Sequence, residues 1–186
     1  MRWLCLDFGS RRTGVAVSSP ESTFALPLAV IQHDASGPSP TEIERLMREH
    51  SAEGLVLGLP ITMDGTVSAQ TQLTLEFAVC LSAYFDARLE APPGVDLPEI
   101  PACAARRHAA LDPFPIRIVL WDERLSSWEA QRIAASADGT RRNRVGKEHP
   151  IDAHAAAVIL QSYLDANTVA GALSAQPDDV AGDCFG

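Results

Sequence analysis

The sequence predicts one α/β domain, a mixed five-stranded sheet flanked by helices. Three observations point to it. Three short apolar runs follow one another within the first 31 residues, close enough to be joined as hairpins. Two further apolar runs each follow a segment of helical period. The length of 186 residues suits a single domain able to bury its own core. Hairpin-linked strands followed by αβ units give antiparallel and parallel pairing in one sheet, with helices covering its faces.

In chain order, Trp3, Leu4, Cys5, Leu6, Asp7, Phe8 and Gly9 read as a buried strand ending in an acid and a glycine. Gly14 to Ser18 follows closely enough to pair with it. Ala25 to Ile31 forms a third strand, placed at an edge because Pro27 cannot donate to a ladder. Ser39, Pro40 and Glu42 have the spacing of a capping box with proline in the first turn, ahead of an Ile43, Leu46, Met47 stripe. Leu55 to Leu59, closed by Pro60, is the fourth strand. A polar turn at Asp64, Gly65 and Thr66 then leads into a helix predicted to bury Leu73, Phe77, Cys80, Leu81 and Tyr84.

Six prolines interrupt residues 87–115 (Pro92, Pro93, Pro98, Pro101, Pro113, Pro115). The stretch is read as a long surface insertion with one short helix at 102–110. Ile116 to Trp121 is the fifth strand, ending at Asp122, Glu123 and Arg124. Ser126 and Glu129 form a second capping-box pattern for a helix to about Ala135, and residues 139–148 are a basic loop. The last helix opens at Ile151 and Asp152 and is apolar nearly all round, so it is expected to be buried. The domain is thus set at 1–166. Residues 167–186, rich in Ala, Gly and Asp, are expected to form an acidic, disordered tail.

Composition narrows the function. With 46% apolar and 21% charged residues the chain reads as a globular protein. No run reaches the roughly 18 apolar residues of a membrane span, and the acid at Asp7 interrupts any signal-like start, so a cytoplasmic location is expected. Cys5, Cys80, Cys103 and Cys184 lie far apart and read as free thiols. The net charge of −9 opposes nucleic-acid binding at first sight. Of the 15 basic residues, however, 14 are Arg. They cluster at Arg11 and Arg12, at Arg106 and Arg107, and at Arg141, Arg142 and Arg144 with Lys147, while the tail carries only acids.

The chemistry sits where sheets of this kind place it, at the carboxyl ends of strands. Asp7 ends the first strand, Asp122 and Glu123 end the fifth, and Asp152 lies in the first turn of the last helix. Each has an ordinary explanation: a turn-shaping Asp, a surface ion pair with Arg124, and an acid favoured by the helix dipole. Together they are a hard-oxygen donor set suited to a divalent cation and phosphodiester hydrolysis. Strand alternation lets only one of Asp122 and Glu123 face the other acids.

The joint pattern resembles the YqgF (RuvX-like) family of the RNase H-like superfamily. Leu4 to Val17, with Asp7, Gly9 and Gly14, is similar to its opening block, and Gly58 to Thr66 to its second. Asp122 to Ala130 and Ile151 to Ala156 are similar to the third and fourth. Four blocks in order span most of residues 2–165. The resemblance implies an RNase H-like fold and a nuclease in which Asp7, Glu123 and Asp152 are catalytic and hold Mg²⁺ or Mn²⁺. Asp122 and His149 stand in reserve as ligands. It implies maturation of the 5′ end of pre-16S ribosomal RNA, or Holliday-junction resolution. The partners would be structured RNA or branched or single-stranded DNA, and a homodimer is compatible. Arg11, Arg12, Arg124, Arg141, Arg142, Arg144 and Lys147 are the expected nucleic-acid contacts. Many RNase H-like enzymes place an acid at the end of the fourth strand. Here that strand ends in Leu59 and Pro60, so Glu123 must stand in. Two rivals follow from the same residues: a non-catalytic nucleic-acid-binding module, and, from the Asp7–Gly14 hairpin, an actin-like ATPase lobe.

Overall fold

The computed structural model describes residues 1–62, 67–99, 116–125 and 151–174. The turn at 64–66, the 102–110 and 126–135 helices, the basic loop, His149 and the last twelve residues lie outside them.

The strands are β1 (Trp3–Phe8), β2 (Arg12–Ser18), β3 (Ala25–Gln32), β4 (Gly54–Leu59), β5 (Arg88–Glu90) and β6 (Arg117–Asp122). They form one sheet in the order β3-β2-β1-β4-β6-β5. β1 to β3 are antiparallel neighbours, while β4 joins β1 and β6 in parallel and β5 joins β6 in parallel. The sheet is therefore mixed, as expected, but the described residues give it six strands rather than five. The added one, β5, falls at the start of the stretch read as an insertion. Three residues carry no detectable period. Their strand conformation comes from pairing with β6, reinforced where Arg117 donates to both carboxylate oxygens of Glu90.

Each apolar strand alternates between two cores. Leu4, Leu6, Phe8, Val15, Val17, Leu55, Leu57, Leu59, Ile118 and Leu120 pack with helices α1 (Pro40–Glu49) and α2 (Ala69–Phe85). Trp3, Cys5, Ala16, Val56 and Val119 pack under helix α3 (Ile151–Ser174), through Ala156, Ile159, Leu160, Tyr163 and Leu164. Most of these side chains are wholly buried, and each buried Val, Leu, Ile or Phe contributes about 1.5–3 kcal/mol relative to exposure. β3 is an edge, and Pro27 sits where the β2–β3 register shifts, between Val15 and Ala16.

Helix details depart from expectation in four places. Ser39 is the N-cap of α1 with Pro40 behind it, but its hydroxyl bonds the Thr41 hydroxyl, so the Ser39–Glu42 box does not form. The box occurs instead on α2, where Ser68 accepts from the Thr71 N–H and Thr71 accepts from the Ser68 N–H. α2 buries Leu75, Ala78, Leu81 and Phe85 along with Phe77, whereas Leu73 is exposed. A helix apolar on several sides offers no single stripe from which to read its phase. α3 likewise buries one face, with Ile151 86% exposed, and it runs to Ser174, past the expected boundary at 166. Among the described residues no helix is long and apolar enough to cross a membrane.

Candidate active site

The end of β1 is held firmly. Gly9 N–H donates to the Arg12 carbonyl at 3.0 Å, closing the β1–β2 hairpin, and the Phe8 carbonyl accepts from Gln70 Nε2 at 2.7 Å. The Phe8 ring stacks on Phe77 at 4.6 Å and on His33 at 5.7 Å. Phe8 faces α2, so Asp7, its neighbour on the strand, turns toward α3 with Trp3 and Cys5. Asp7 pairs in register with Gly14 on β2.

Alternation along β6 separates the two candidate acids. Ile118 and Leu120 face α1 and α2, and Val119 faces α3. Asp122 continues the first set and is buried, with its carboxylate occupied by Arg124. It accepts from the Arg124 backbone N–H at 3.0 Å and from Nη2 at 2.6 Å. Glu123 opens a one-turn 3-10 helix, Glu123–Leu125, and lies over Gly58. A Cβ placed on Gly58 would lie 2.6 Å from Glu123 Oε1. Glu123, not Asp122, therefore shares the α3 face with Asp7.

Asp152 reaches the same place from the first turn of α3, where the helix dipole favours an acid. Its main-chain oxygen rests against Gly14, and its carboxylate lies 3.4 Å from Arg12 Nη1.

The electrostatics record this proximity. Burial, and then the charge of Asp152, push Asp7 up to about 6. Burial, followed by Asp7 and Asp122, pushes Glu123 up to about 7. The Cys5 thiol beneath them is raised by burial and by both acids. Repelling carboxylates held in half-buried positions gain from a cation. Among the described residues no three His, Cys, Asp or Glu side chains converge tightly enough to form a cage. Mg²⁺ does not require one, since it takes one or two carboxylates with water and phosphate oxygens, and the donor set fits it on that basis.

The basic residues divide. Arg11 and Arg12 are exposed on the hairpin beside Asp7, with Arg12 reaching Asp152. Arg124 directs its guanidinium to Asp122 and, at 3.4 Å, to the Thr62 carbonyl, so its charge is engaged within the protein. Arg106, Arg107, Arg141, Arg142, Arg144, Lys147 and His149 lie outside the described residues. Sequence reasoning passed over Gly14 and Gly58 as site residues, although both stood in the blocks it singled out.

Residues 1–91 and 102–166 match the family model described as RuvX: Holliday junction resolvase. A Rhodospirillum centenum protein named "Putative pre-16S rRNA nuclease" is 33% identical over 164 residues, covering 88% of this chain and 73% of the relative. A protein of the same name from Syntrophomonas wolfei is 31% identical over 169 residues, covering 91% and 97%. Another, from Rhodopseudomonas palustris, is 35% identical over 167 residues, covering 90% and 83%. Among solved structures, T. thermophilus RuvC in complex with Holliday junction substrate superposes with a TM-score of 0.52. It is 12% identical and covers 91% of this chain and 96% of that one. At that identity the likeness concerns the fold, which is RNase H-like.

Proposed function

Because the chain belongs to the RuvX Holliday junction resolvase family, we propose that it is a divalent-metal-dependent nuclease acting on the 5′ end of pre-16S ribosomal RNA. The observation that carries this reading is the meeting of Asp7, Glu123 and Asp152 at one end of the sheet. Burial and mutual repulsion there raise Asp7 to about 6 and Glu123 to about 7. A fold gains nothing from holding acids in that state unless positive charge joins them.

Asp7, Glu123 and Asp152 would hold Mg²⁺ or Mn²⁺, which would supply an activated water and charge neutralisation at the scissile phosphate. The remaining work falls to the chain. Asp7 and Glu123 would have to lose their protons to hold the ion, so its binding would tighten as pH rises through about 6 to 7. Arg12, paired with Asp152 in the free protein, lies where it can turn to a phosphate oxygen. Arg11, and the bases at Arg141, Arg142, Arg144 and Lys147 that lead into α3, would add backbone contacts to the substrate.

The names of the relatives favour RNA. The description of the family model favours a second reading, cleavage of branched DNA. Residues 1–166 would form the nuclease, acting in the cytoplasm, and the family match is interrupted at 92–101, within the stretch read as an insertion. The deciding experiment compares end-labelled 16S precursor RNA, single-stranded DNA and a four-way junction with Mn²⁺, beside the Asp7→Ala protein. RNA cleavage at the mature 5′ end, lost in that variant, is expected. Preferential cutting of the junction would replace the RNA reading with the second. No cleavage of any substrate would favour a binding module.

A further inference from the structure

Asp7 stands in a row that crosses the sheet on the α3 face. Gly14 is its register partner on β2, and the β1–β4 register runs to Leu6 and Leu57, so the next position on β4 is Gly58. Gly58 in turn pairs with Trp121. The acid is thus flanked on both sides by residues without side chains. One row below, Ala16, Cys5, Val56 and Val119 occupy the equivalent positions and pack normally under α3.

Neither glycine has the positive φ that would require glycine for backbone reasons. What they supply is space, and each space is filled by another member of the acid set. A Cβ on Gly14 would lie 2.0 Å from the Asp152 carbonyl oxygen and 3.2 Å from the Ala153 nitrogen, main-chain atoms that cannot step aside. A Cβ on Gly58 would lie 2.6 Å from Glu123 Oε1 and 2.8 Å from Ile159 Cδ1, both ends of movable side chains.

We propose that Gly14 and Gly58 are positioning residues of the site: Gly14 seats the start of α3 so that Asp152 meets Asp7, and Gly58 admits the Glu123 carboxylate from the other side. The functional part of this inference rests on the metal-binding reading above, whereas the placement does not. The two glycines differ in what replacement would disturb. Gly14→Ala must move a helix. Gly58→Ala need only move one carboxylate and one isoleucine tip.

The test uses the full-length chain and the variants Gly58→Ala, Ile159→Ala and the double variant. Crystal structures read placement without any ion, and calorimetric titration with Mn²⁺ reads its consequence. In Gly58→Ala, β4 should stay in place while the Glu123 carboxylate retreats from Asp7 by about 1 Å or more, beyond the ~0.5 Å that such sites tolerate. Mn²⁺ affinity should fall roughly tenfold or more, the loss typical when support of a ligand is disturbed. Ile159→Ala alone should bind Mn²⁺ as the wild type does. Added to Gly58→Ala it should remove the contact with Ile159 Cδ1 without restoring affinity. If Gly58→Ala alone fails to fold, the double variant carries the same comparison. An unmoved Glu123, or affinity restored by Ile159→Ala, would overturn the inference. A wild-type protein that binds no Mn²⁺ would overturn only the metal reading, and the crystal structures would still decide placement.

Discussion

Asp122 and Arg124 hold each other across the residue between them. The Asp122 carboxylate accepts from both the backbone N–H and the guanidinium of Arg124, closing the turn on which Glu123 is carried. Arg124 extends the link to the Thr62 carbonyl beyond β4. The end of β6 is therefore tied on one face of the sheet while its acid is presented on the other.

Asp122→Ala should consequently cost about 1–3 kcal/mol, the usual range when a buried hydrogen-bonding partner is removed. Arg124 is partly exposed, which keeps the loss below that of a fully buried pair. Urea denaturation measures it. A change within about 0.5 kcal/mol, the surface-substitution range, would show that the turn holds without this pair.

Asp7→Asn should abolish metal-dependent cleavage and leave the protein folded. In the metal-free state it should be no less stable than the wild type, because replacing Asp7 removes a charge that repels Asp152 and Glu123. Thermal melts in EDTA beside a cleavage assay would check both halves. A variant that cleaves at the wild-type rate would remove Asp7 from the mechanism.

The same acids set a pH dependence. Asp7 is raised from 3.8 to about 6 and Glu123 from 4.5 to about 7. Between those limits the native state binds more protons than the unfolded one, so these groups make stability fall as pH rises from about 4 to about 7. Metal binding runs the other way and tightens over the upper part of the window, because the ion competes with protons. Melting in EDTA against pH, repeated with Asp7→Asn, should show the decline and its flattening. A decline that is identical in the variant would assign it to other groups.

Replacing Arg141, Arg142, Arg144 and Lys147 with Ala should weaken nucleic-acid binding across sequences and lower its dependence on salt, because each phosphate contact releases counterions. Titrations at several salt concentrations would show it. An unchanged slope would mean that the segment only connects its neighbours.

ATP should not be a substrate, although the Asp7–Gly14 hairpin has the form of a phosphate loop. The described residues contain one such hairpin, and enclosing a nucleotide takes a second lobe opposite it. Calorimetry with Mg²⁺ should find nothing tighter than about millimolar, near −4 kcal/mol. Micromolar binding would revive the ATPase reading.

Much of this was legible in the residues. Five of the strands and the edge position of β3 follow from period-two alternation and from what proline cannot do, whereas alternation left Asp122 and Glu123 open and only the family resemblance pointed to Glu123. β5 was not legible, because three residues become a strand only when β6 is beside them. The buried face of α2 and the single buried face of α3 were hidden by helices that are apolar on several sides.

The site divides the same way. Local pattern by itself determined that Asp7 ends a strand, that Glu123 follows one, and that Asp152 begins a helix, since each depends on neighbours within a few residues. Only the tertiary structure decided that these ends meet. The meeting is set by the β1–β2 register that pairs Asp7 with Gly14, by the parallel register that brings Gly58 alongside, and by the seating of α3 on the first of those glycines. Register is a relation between distant segments, chosen by the burial of whole strand faces, and no local stretch of sequence contains it.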